Sequence, residues 1–346
     1  MTTATAGAAP APAAPGNGHA RAGRGSVLDL PWVRFAVRRA GGLVLALALL
    51  VTVTFLIVPL LPGDPARAIA GSAATPQAVA TIRADLGLDR PLPQRFVEYV
   101  GGLARGDLGT SFRYRVPVAD VVATRLPYTV QLAVPAIVLV LALAVPLGMA
   151  VGVLTRGGRR RRLDVAFGVV AGAVAAVPPY VLGTLLVVTL AIGLKLFPPG
   201  GAQTPASLVL PILALSLGPA CAVARVVRAE TSSVLEQEFL RTARARRLPA
   251  GRLYLRHALP NLLTSVLTLT GLVLTSLLGG TVVIENVFSY PGLGTEIVQA
   301  IVSKDYPVIQ GIILCVGVLA LLVNLLVDVV LGLVDPRTLT GGHHGG

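Results

Sequence analysis

Charged residues are scarce in this chain of 346 residues. Asp, Glu, Lys and Arg together make up 13% of the sequence, whereas the hydrophobic fraction is 54% and the mean hydropathy is +0.78. Soluble domains carry about 25% charged residues. This shortage of charge excludes an ordinary soluble domain, and the long apolar blocks predict an all-α polytopic membrane protein.

The residues that an ATPase or a metalloenzyme needs are also missing. The lysines are Lys195 and Lys304, and neither follows a glycine as the lysine of a phosphate-binding loop does. No zinc-protease or serine-hydrolase motif occurs. The two cysteines, Cys221 and Cys315, lie inside apolar runs without the spacing of metal ligands. The sequence therefore predicts no catalytic residue, no cofactor and no metal site.

Six apolar segments are long enough to cross a bilayer, which takes about 20 residues. The first segment is longer than the apolar region of a signal peptide, which spans about 7–15 residues, so an uncleaved helix is favoured over a cleaved signal. The expected spans are Gly41–Leu61, Tyr128–Leu154, Val165–Leu194, Ser207–Val227, Leu262–Val283 and Pro307–Val334.

The basic residues predict the topology. They are concentrated near the N-terminus, in Arg156–Arg162 and in Arg225–Arg256, while the short loops around Lys195 and Lys304 hold one each. The positive-inside rule then places both termini in the cytosol, with the spans in the cytoplasmic (inner) membrane. The net charge of +13 serves topology, and no nucleic acid partner is expected. The expected division is a disordered cytosolic tail (1–30), a first transmembrane helix (31–61), an extracytoplasmic loop (62–119), a core with five transmembrane helices (120–335) and a cytosolic tail (336–346).

The cytosolic segment Glu236–His257 predicts a short amphipathic helix between the fourth and fifth spans. Acidic residues stand at its start and arginines toward its end, as the helix dipole favours. Pro249 and Gly251 end the helix. Two interpretations stay open, a helix that lies on anionic lipid and a helix that docks into a groove of a cytosolic partner.

This segment resembles the cytosolic motif of permease subunits of ABC importers. Its stretch EFLRTARARRLPAGRLYLRHALPN is similar to the version in dipeptide and oligopeptide permeases, although Arg247 stands where the general pattern has glycine. Further motifs of the same family follow in order along the chain. They are Leu61–Ala66, Leu86–Asp89, Gly106–Ser111, Arg125–Pro127, Phe288–Gly294, Asp305–Gly311 and Val334–Arg337.

The resemblance implies a permease for peptides or similar small solutes, with six transmembrane helices, a large extracytoplasmic loop after the first, and a cytosolic coupling helix between the fourth and fifth. It implies three kinds of partner besides the lipid bilayer: a second permease subunit, two cytosolic ATP-binding subunits and an extracytoplasmic solute-binding (lipo)protein. The alternative is a secondary, ion-coupled transporter, which would need inverted repeats and ion ligands at the membrane midplane.

Three groups of candidate site residues follow. The resemblance implies an ATPase-coupling helix with Glu236, Glu238, Phe239, Arg241, Thr242, Ala243, Arg244, Arg247 and Leu248. Small, weakly polar residues form one helical face in the fifth span, and this face either packs against a helix or lines the solute path. They are Thr264, Thr268, Gly271, Thr275 and Gly279. The expected contacts with the binding protein, for which plain loop structure is the alternative, are Gly63, Asp64, Pro291 and Gly292.

Ionisable residues at span ends form a last group. Asp328 lies near the cytosolic end of span six, which favours a structural ion pair with Arg337 or a partner chain over a transport role. Asp164 is expected to cap the helix of span three. Glu285, at the outer end of span five, faces either the binding protein or the solute path, and both interpretations stay open.

Overall fold

The computed structural model of the chain describes residues 31–60, 64–71, 73–245 and 249–334. Regular structure in these ranges is helical, apart from one isolated bridge between Thr110 and Pro117, which confirms the all-α prediction. The predicted tails, 1–30 and 336–346, lie outside the described residues. The helices are α1 (Pro31–Leu60), α2 (Pro65–Ala70), α3 (Pro76–Asp85), α4 (Leu92–Ala104), α5 (Val118–Thr155), α6 (Arg161–Ala176), α7 (Pro179–Leu186, continued by a π-helical turn Val187–Gly193), α8 (Val209–Val234), α9 (Glu238–Ala245), α10 (Ala250–Arg252, continued by a π-helical turn Leu253–Ala258), α11 (Leu259–Val287), α12 (Leu293–Ser303) and α13 (Tyr306–Val334).

Five of these helices are long and apolar enough to cross a membrane: α1, α5, α8, α11 and α13. A sixth span arises only if α6 and α7 count together. At 1.5 Å per residue, the 38 residues of α5 extend roughly 57 Å, about twice the apolar thickness of a bilayer. The helix therefore begins ten residues before the predicted span, and its first turns stand outside the membrane.

The predicted third span is not one helix. The structure bends it by 94° between α6 and α7. Val177 has φ −74° and ψ 124°, and Pro178 has φ −58° and ψ 141°, so both residues are extended. Proline disfavours the helical conformation in the residue before it and cannot donate to a helix. Because Pro178 is followed by Pro179, the chain leaves one helix and starts another here.

Close packing of α5 on α8 forms the centre of the bundle. Gly148 and Gly152, four residues apart on α5, face α8 where a side chain would not fit. A Cβ atom on Gly148 would lie 2.5 Å from the carbonyl oxygen of Ala224, and one on Gly152 would lie 2.9 Å from that of Arg228. Small residues at this spacing let two membrane helices approach closely. The remaining spans are arranged around this pair of helices.

The loops that connect the helices gather at the two ends of the bundle. At one end, called here the α12 end, α1 and α11 finish while α5, α8 and α13 begin. The N–H of Gly201 there donates to the carbonyl of Phe288 at 2.8 Å, so the loop before α8 touches the end of α11. The opposite end, called the α9 end, holds α9 and α10. Helices α2, α3 and α4 belong to the segment between α1 and α5 at the α12 end.

Candidate functional site

The α12 end is organised around Glu285, which is fully buried. Its carboxyl group accepts hydrogen bonds from the Thr129 hydroxyl of α5 (2.7 Å) and from the backbone N–H groups of Gly294 (2.6 Å) and Thr295 (3.2 Å). The Thr129 hydroxyl also accepts from the N–H of Leu293 at 2.9 Å. The first turn of a helix has unpaired N–H groups and a positive dipole end. One carboxyl group thus joins α5, α11 and α12.

The turn between α11 and α12 requires glycine because it runs directly over this carboxyl group. A Cβ atom on Gly292 would overlap the Glu285 carboxyl. A Cβ on Gly294 would overlap the backbone of Val282 and lie 2.8 Å from Glu285 Oε2. Gly292 has φ −92°, so the requirement at that position is for space and not for a left-handed backbone. The Pro-Gly-Leu-Gly sequence therefore serves close packing.

Tyr290 in the same turn adds a second polar contact with α5. Its hydroxyl donates to Oε1 of Gln131 at 3.0 Å, and its ring lies edge-on to Tyr128 with a centroid distance of 5.8 Å. Its carbonyl accepts from the Thr295 hydroxyl at 2.7 Å. Burial raises the pKa of Tyr290, and the neighbouring Tyr128 and Glu285 raise it further. The phenol therefore stays protonated at neutral pH and keeps its role as a donor.

Two more buried carboxylates connect the segment before α5 with the later helices. Asp305, which directly precedes α13, accepts from the Ser111 hydroxyl at 2.5 Å and from the N–H of Phe112 at 3.1 Å. Glu296 on α12 is buried and lies 3.2 Å from the guanidinium of Arg125 on α5. Removing one partner from a buried pair leaves an uncompensated group. The α12 end is consequently a rigid polar network.

The α9 end carries the predicted amphipathic helix as α9. Leu240 is fully buried in one cluster with Leu235 after α8 and Leu253 before α11. On the opposite side, Phe239 is 41% exposed and Glu238 is exposed. Glu236, just before the helix, is exposed as well. The side chains of Arg241, Thr242, Ala243 and Arg244 lie outside the described part, as do Arg247 and Leu248 entirely.

Two ion pairs revise the expectations for Asp164 and Asp328. Asp164 does not cap α6. The cap position is Arg160, and its side chain makes no capping hydrogen bond. The Asp164 carboxylate instead pairs with Arg228 of α8. Asp328 pairs with Arg39 of α1 at 2.5 Å. Its predicted structural role therefore involves the first helix of the same chain, while Arg337 lies outside the described residues.

The small-residue face of the fifth span divides into two parts. A Cβ on Gly271 would lie 3.3 Å from Oδ1 of Asn324 on α13. The amide of Asn324 donates to the Thr275 hydroxyl at 3.1 Å, so both positions lie in a helix-packing surface. Gly279 instead is exposed, and a Cβ there would meet nothing within 4 Å. The side chains of Thr264 and Thr268 lie outside the described part.

The four expected binding-protein contacts lie in different environments. Asp64 is half-buried and caps α2, accepting from the N–H of Ala66 at 3.0 Å. Pro291 is half-buried, and Gly292 is buried over the carboxyl of Glu285. Gly63 lies outside the described residues. A contact with a binding protein stays a prediction for all four.

Thr129 and Glu296 are residues of the α12 end that the sequence did not single out, and Asp305 was named there only as the first residue of a family motif. A cap signal was available for Asp305, because Asp directly before an apolar helix is a preferred first residue. No local signal existed for Thr129, whose partner Glu285 is 156 positions away. The four-residue spacing of Gly148 and Gly152 is visible in the sequence and is typical of close helix packing.

A bundle of apolar helices that are long enough to cross a bilayer defines a polytopic membrane protein. The sequence comparisons assign the chain more closely. Residues 144–340 match the family described as binding-protein-dependent transport system inner membrane component, and residues 32–133 match the N-terminal domain of such membrane components. The chain belongs to this family of inner membrane permeases of ABC importers. The prediction of an ABC importer permease is confirmed, and the ion-coupled alternative is set aside.

Curated relatives match the chain over almost its whole length. The glutathione transport system permease protein GsiC of Escherichia coli (strain CFT073) is 38% identical over 304 residues, covering 88% of this chain and 98% of the relative. A protein of Brucella suis, provisionally named as a peptide transport system permease, is 37% identical over 309 residues, covering 87% and 97%.

A solved structure shares the fold. The chain is similar to one in the inward-facing MetNI methionine ABC transporter, with a TM-score of 0.54 and 17% sequence identity. The match covers 62% of this chain and 96% of the other. At this identity the likeness concerns the fold alone.

Proposed function

We propose that this permease carries peptides or similar small solutes into the cell, with energy from separate ATP-binding subunits. The observation that carries the proposal is the identity of 37–38% along nearly the whole chain with permeases named for glutathione and peptide transport. Glutathione is itself a short peptide, so the two names describe one chemical class of solute. The chain itself is expected to hydrolyse no ATP.

The α9 end is the cytosolic end in this proposal. The turn between α5 and α6 lies at that end and holds five arginines within residues 156–162. Helix α1 begins and α13 finishes at the same end, so both termini are cytosolic. Positively charged loops stay on the cytosolic side of the membrane. The α12 end then faces outward, toward the solute-binding protein, and includes Asp64 and Pro291.

Helix α9 is the element that an ATPase subunit moves. Its exposed side offers Phe239 beside the carboxylate of Glu238, a combination that suits a groove with an apolar floor and a basic rim. Its buried side is fixed by Leu240, which shares a cluster with Leu235 and Leu253. A push on α9 therefore acts on α8 and α11 together, because those residues flank the two helices.

The solute path runs along the exposed face of α11. Leu272, Ser276, Gly279 and Val283 recur at helical spacing and are all exposed, whereas Gly271 and Thr275 face α13. This face combines two aliphatic side chains with Ser276 and Gly279 and carries no charge, which suits a solute class with varied side chains. A second permease subunit closes the path from the other side. In this arrangement Gly279 is the part of the predicted small-residue face that lines the path.

The test of coupling uses the complex reconstituted in lipid vesicles with its ATPase subunits and binding protein. Phe239→Asp is expected to abolish the stimulation of ATP hydrolysis by solute-loaded binding protein, because a charge replaces the apolar anchor. Ser233→Asp, an exposed change at the end of α8 that adds the same charge outside the candidate coupling residues, is the matched control and keeps the stimulation. Full stimulation in the Phe239→Asp complex would remove α9 from the coupling mechanism.

The test of the path and the solute measures uptake. Gly279→Trp is expected to block uptake of radiolabelled glutathione and tripeptides while the complex still assembles, because the position opens onto free space. Ala222→Trp, at an exposed site on α8, serves as a control for added bulk. Unchanged uptake in Gly279→Trp places the path elsewhere, and transport of neither peptide class by the unaltered complex refutes the proposed solute.

A further inference from the structure

Helix α4 lies beside the outer end of the first membrane helix. The ring of Phe55 on α1 is 5.2 Å from that of Phe96 and 5.7 Å from that of Tyr99, both on α4. Phe55 is five residues before the last residue of α1, Leu60, which corresponds to about 7.5 Å along the helix axis. Since this part of α1 belongs to its membrane span, α4 is held at the depth of the membrane boundary.

A second side of α4 is apolar but has no cover in the described chain. Pro93, Val97, Val100 and Ala104 are all exposed, and they are named here the apolar stripe. Val97 is 69% exposed and Val100 is 40% exposed. Their spacing of four, three and four residues places them on one face of the helix. An apolar helix face of this kind is normally covered by lipid or by protein.

The angular order of the faces fits a helix that lies flat on a membrane. At about 100° per residue, the centre of the apolar stripe is roughly a quarter turn from the side of Phe96 and Tyr99 that packs on α1. The exposed polar residues Gln94 and Glu98 follow about a further quarter to third of a turn on. A helix with one side against a membrane span, the next side apolar and the next polar matches the pattern of interfacial helices.

Polar side chains of α4, among them Glu98, line cavities beside the contact with α1, on the side of the helix turned away from the apolar stripe. The hydroxyl of Tyr99 is buried without a hydrogen-bond partner among the described residues, next to a cavity of about 240 Å³ that Phe55 and Arg95 also line. Burial raises the pKa of Tyr99 to about 12, so the phenol remains a donor that needs an acceptor. Arg95 also lines an adjoining cavity of about 230 Å³ with Val58 at the outer end of α1. This polar side of α4 therefore faces away from the acyl chains when the apolar stripe faces toward them.

We infer that α4 is an interfacial helix that lies in the headgroup region of the bilayer, with the apolar stripe turned toward the acyl chains. The continuity with α1 identifies the bilayer as the occupant, because the same cluster of aromatic rings joins α4 to a helix that lipid surrounds. The inference holds for any transported solute, and its test does not depend on uptake. Part of the expected extracytoplasmic loop, helix α4, would then lie in the membrane interface.

The test compares two neighbouring positions in the full-length chain. Val97→Cys and Glu98→Cys are made with Cys221 and Cys315 replaced by alanine, labelled with an environment-sensitive fluorophore, and reconstituted in vesicles of phosphatidylethanolamine and phosphatidylglycerol. Both side chains are exposed, so neither label disturbs packing. The label at Val97 is expected to emit at shorter wavelength, to be quenched several-fold more by lipids with a nitroxide near the headgroup, and to be protected from aqueous iodide.

The label at Glu98 is expected to show the reverse behaviour. Equal quenching of both labels by iodide would overturn the inference, since the apolar stripe would then face water. Protection of the Val97 label without quenching by nitroxide lipid would also overturn it and would show that protein covers the stripe. Protection that appears only after addition of the solute-binding protein would assign the stripe to that protein instead.

Discussion

The two ends of the helix bundle are built in opposite ways. At the α12 end, Glu285, Glu296 and Asp305 are almost completely buried, and each has partners on another helix or loop. At the α9 end, Glu236 and Glu238 are exposed, and among the described side chains of the amphipathic helix Leu240 is the buried one.

The α12 end is therefore expected to be more rigid than the α9 end. Buried hydrogen-bonded carboxyl groups fix one geometry, because any shift leaves a donor or an acceptor unpaired in a medium of low dielectric constant. A short helix whose described acidic side chains are exposed has fewer such constraints and is expected to move at lower cost. In the proposed orientation, the α12 end is the outer frame and α9 is the cytosolic element that partners contact.

The largest expected effect comes from filling the space over Glu285. Gly294→Val would push a branched side chain into the backbone of Val282, which does not yield as a flexible side chain would. We expect a loss of more than about 4 kcal/mol, enough to prevent folding. Size-exclusion chromatography of a fluorescent fusion in detergent measures the folded fraction. Gly279→Val, in open space on the neighbouring helix α11, is the control and should elute normally; equal behaviour of the two variants would contradict the packing argument.

The next effect concerns the hydrogen bond between Thr129 and Glu285. Thr129→Val keeps the shape but leaves the carboxyl group and the N–H of Leu293 short of a partner, at a cost of about 1–3 kcal/mol. A double-mutant cycle with Glu285→Gln, read from denaturation midpoints, is expected to show coupling of about 1 kcal/mol or more. Strict additivity of the two changes would mean that the hydrogen bond does not hold α5 and α11 together.

A weaker and more local effect is expected at the α9 end. Leu240→Ala removes the buried anchor of α9 and should cost about 2–4 kcal/mol locally. Since α9 is the part attached least firmly, its amides should exchange faster with deuterium while those of α5 and α8 remain protected. Phe239→Ala, an exposed neighbour, should leave the exchange unchanged. Faster exchange throughout the bundle in Leu240→Ala would show that the two ends are not independent.

The smallest effect is expected for a surface ion pair. Arg90 and Glu98 are 2.5 Å apart, but both side chains are more than half exposed. Arg90→Ala should therefore change stability by at most about 1 kcal/mol. The thermal midpoint in detergent measures the change, with Arg125→Ala as the contrast, because the partner of Arg125, Glu296, is buried. A larger loss for Arg90→Ala than for Arg125→Ala would reverse the ranking that burial predicts.

Local patterns predicted the long helices. The apolar runs gave α1, α5, α8, α11 and α13 to within about ten residues, since a span must match the bilayer in length. Pro178 and Pro179 were visible in the third span, but the 94° bend there was not, because its angle depends on the contacts of the two halves with α8. The face of Gly271 and Thr275 was ambiguous for the same reason, since only the position of α13 decides whether small residues pack or line a path.

By itself, the sequence determined that this chain is a helical membrane permease with an amphipathic helix between its fourth and fifth predicted spans. Composition, the lengths of apolar runs and the order of motifs are properties of the sequence, so they can be read without a structure. Only the tertiary structure decided that Glu285 joins Thr129 to the start of α12, and that Asp328 pairs with Arg39. Those partners are separated by more than 150 positions, and a buried polar group finds its partner through packing of whole helices, which no local pattern records.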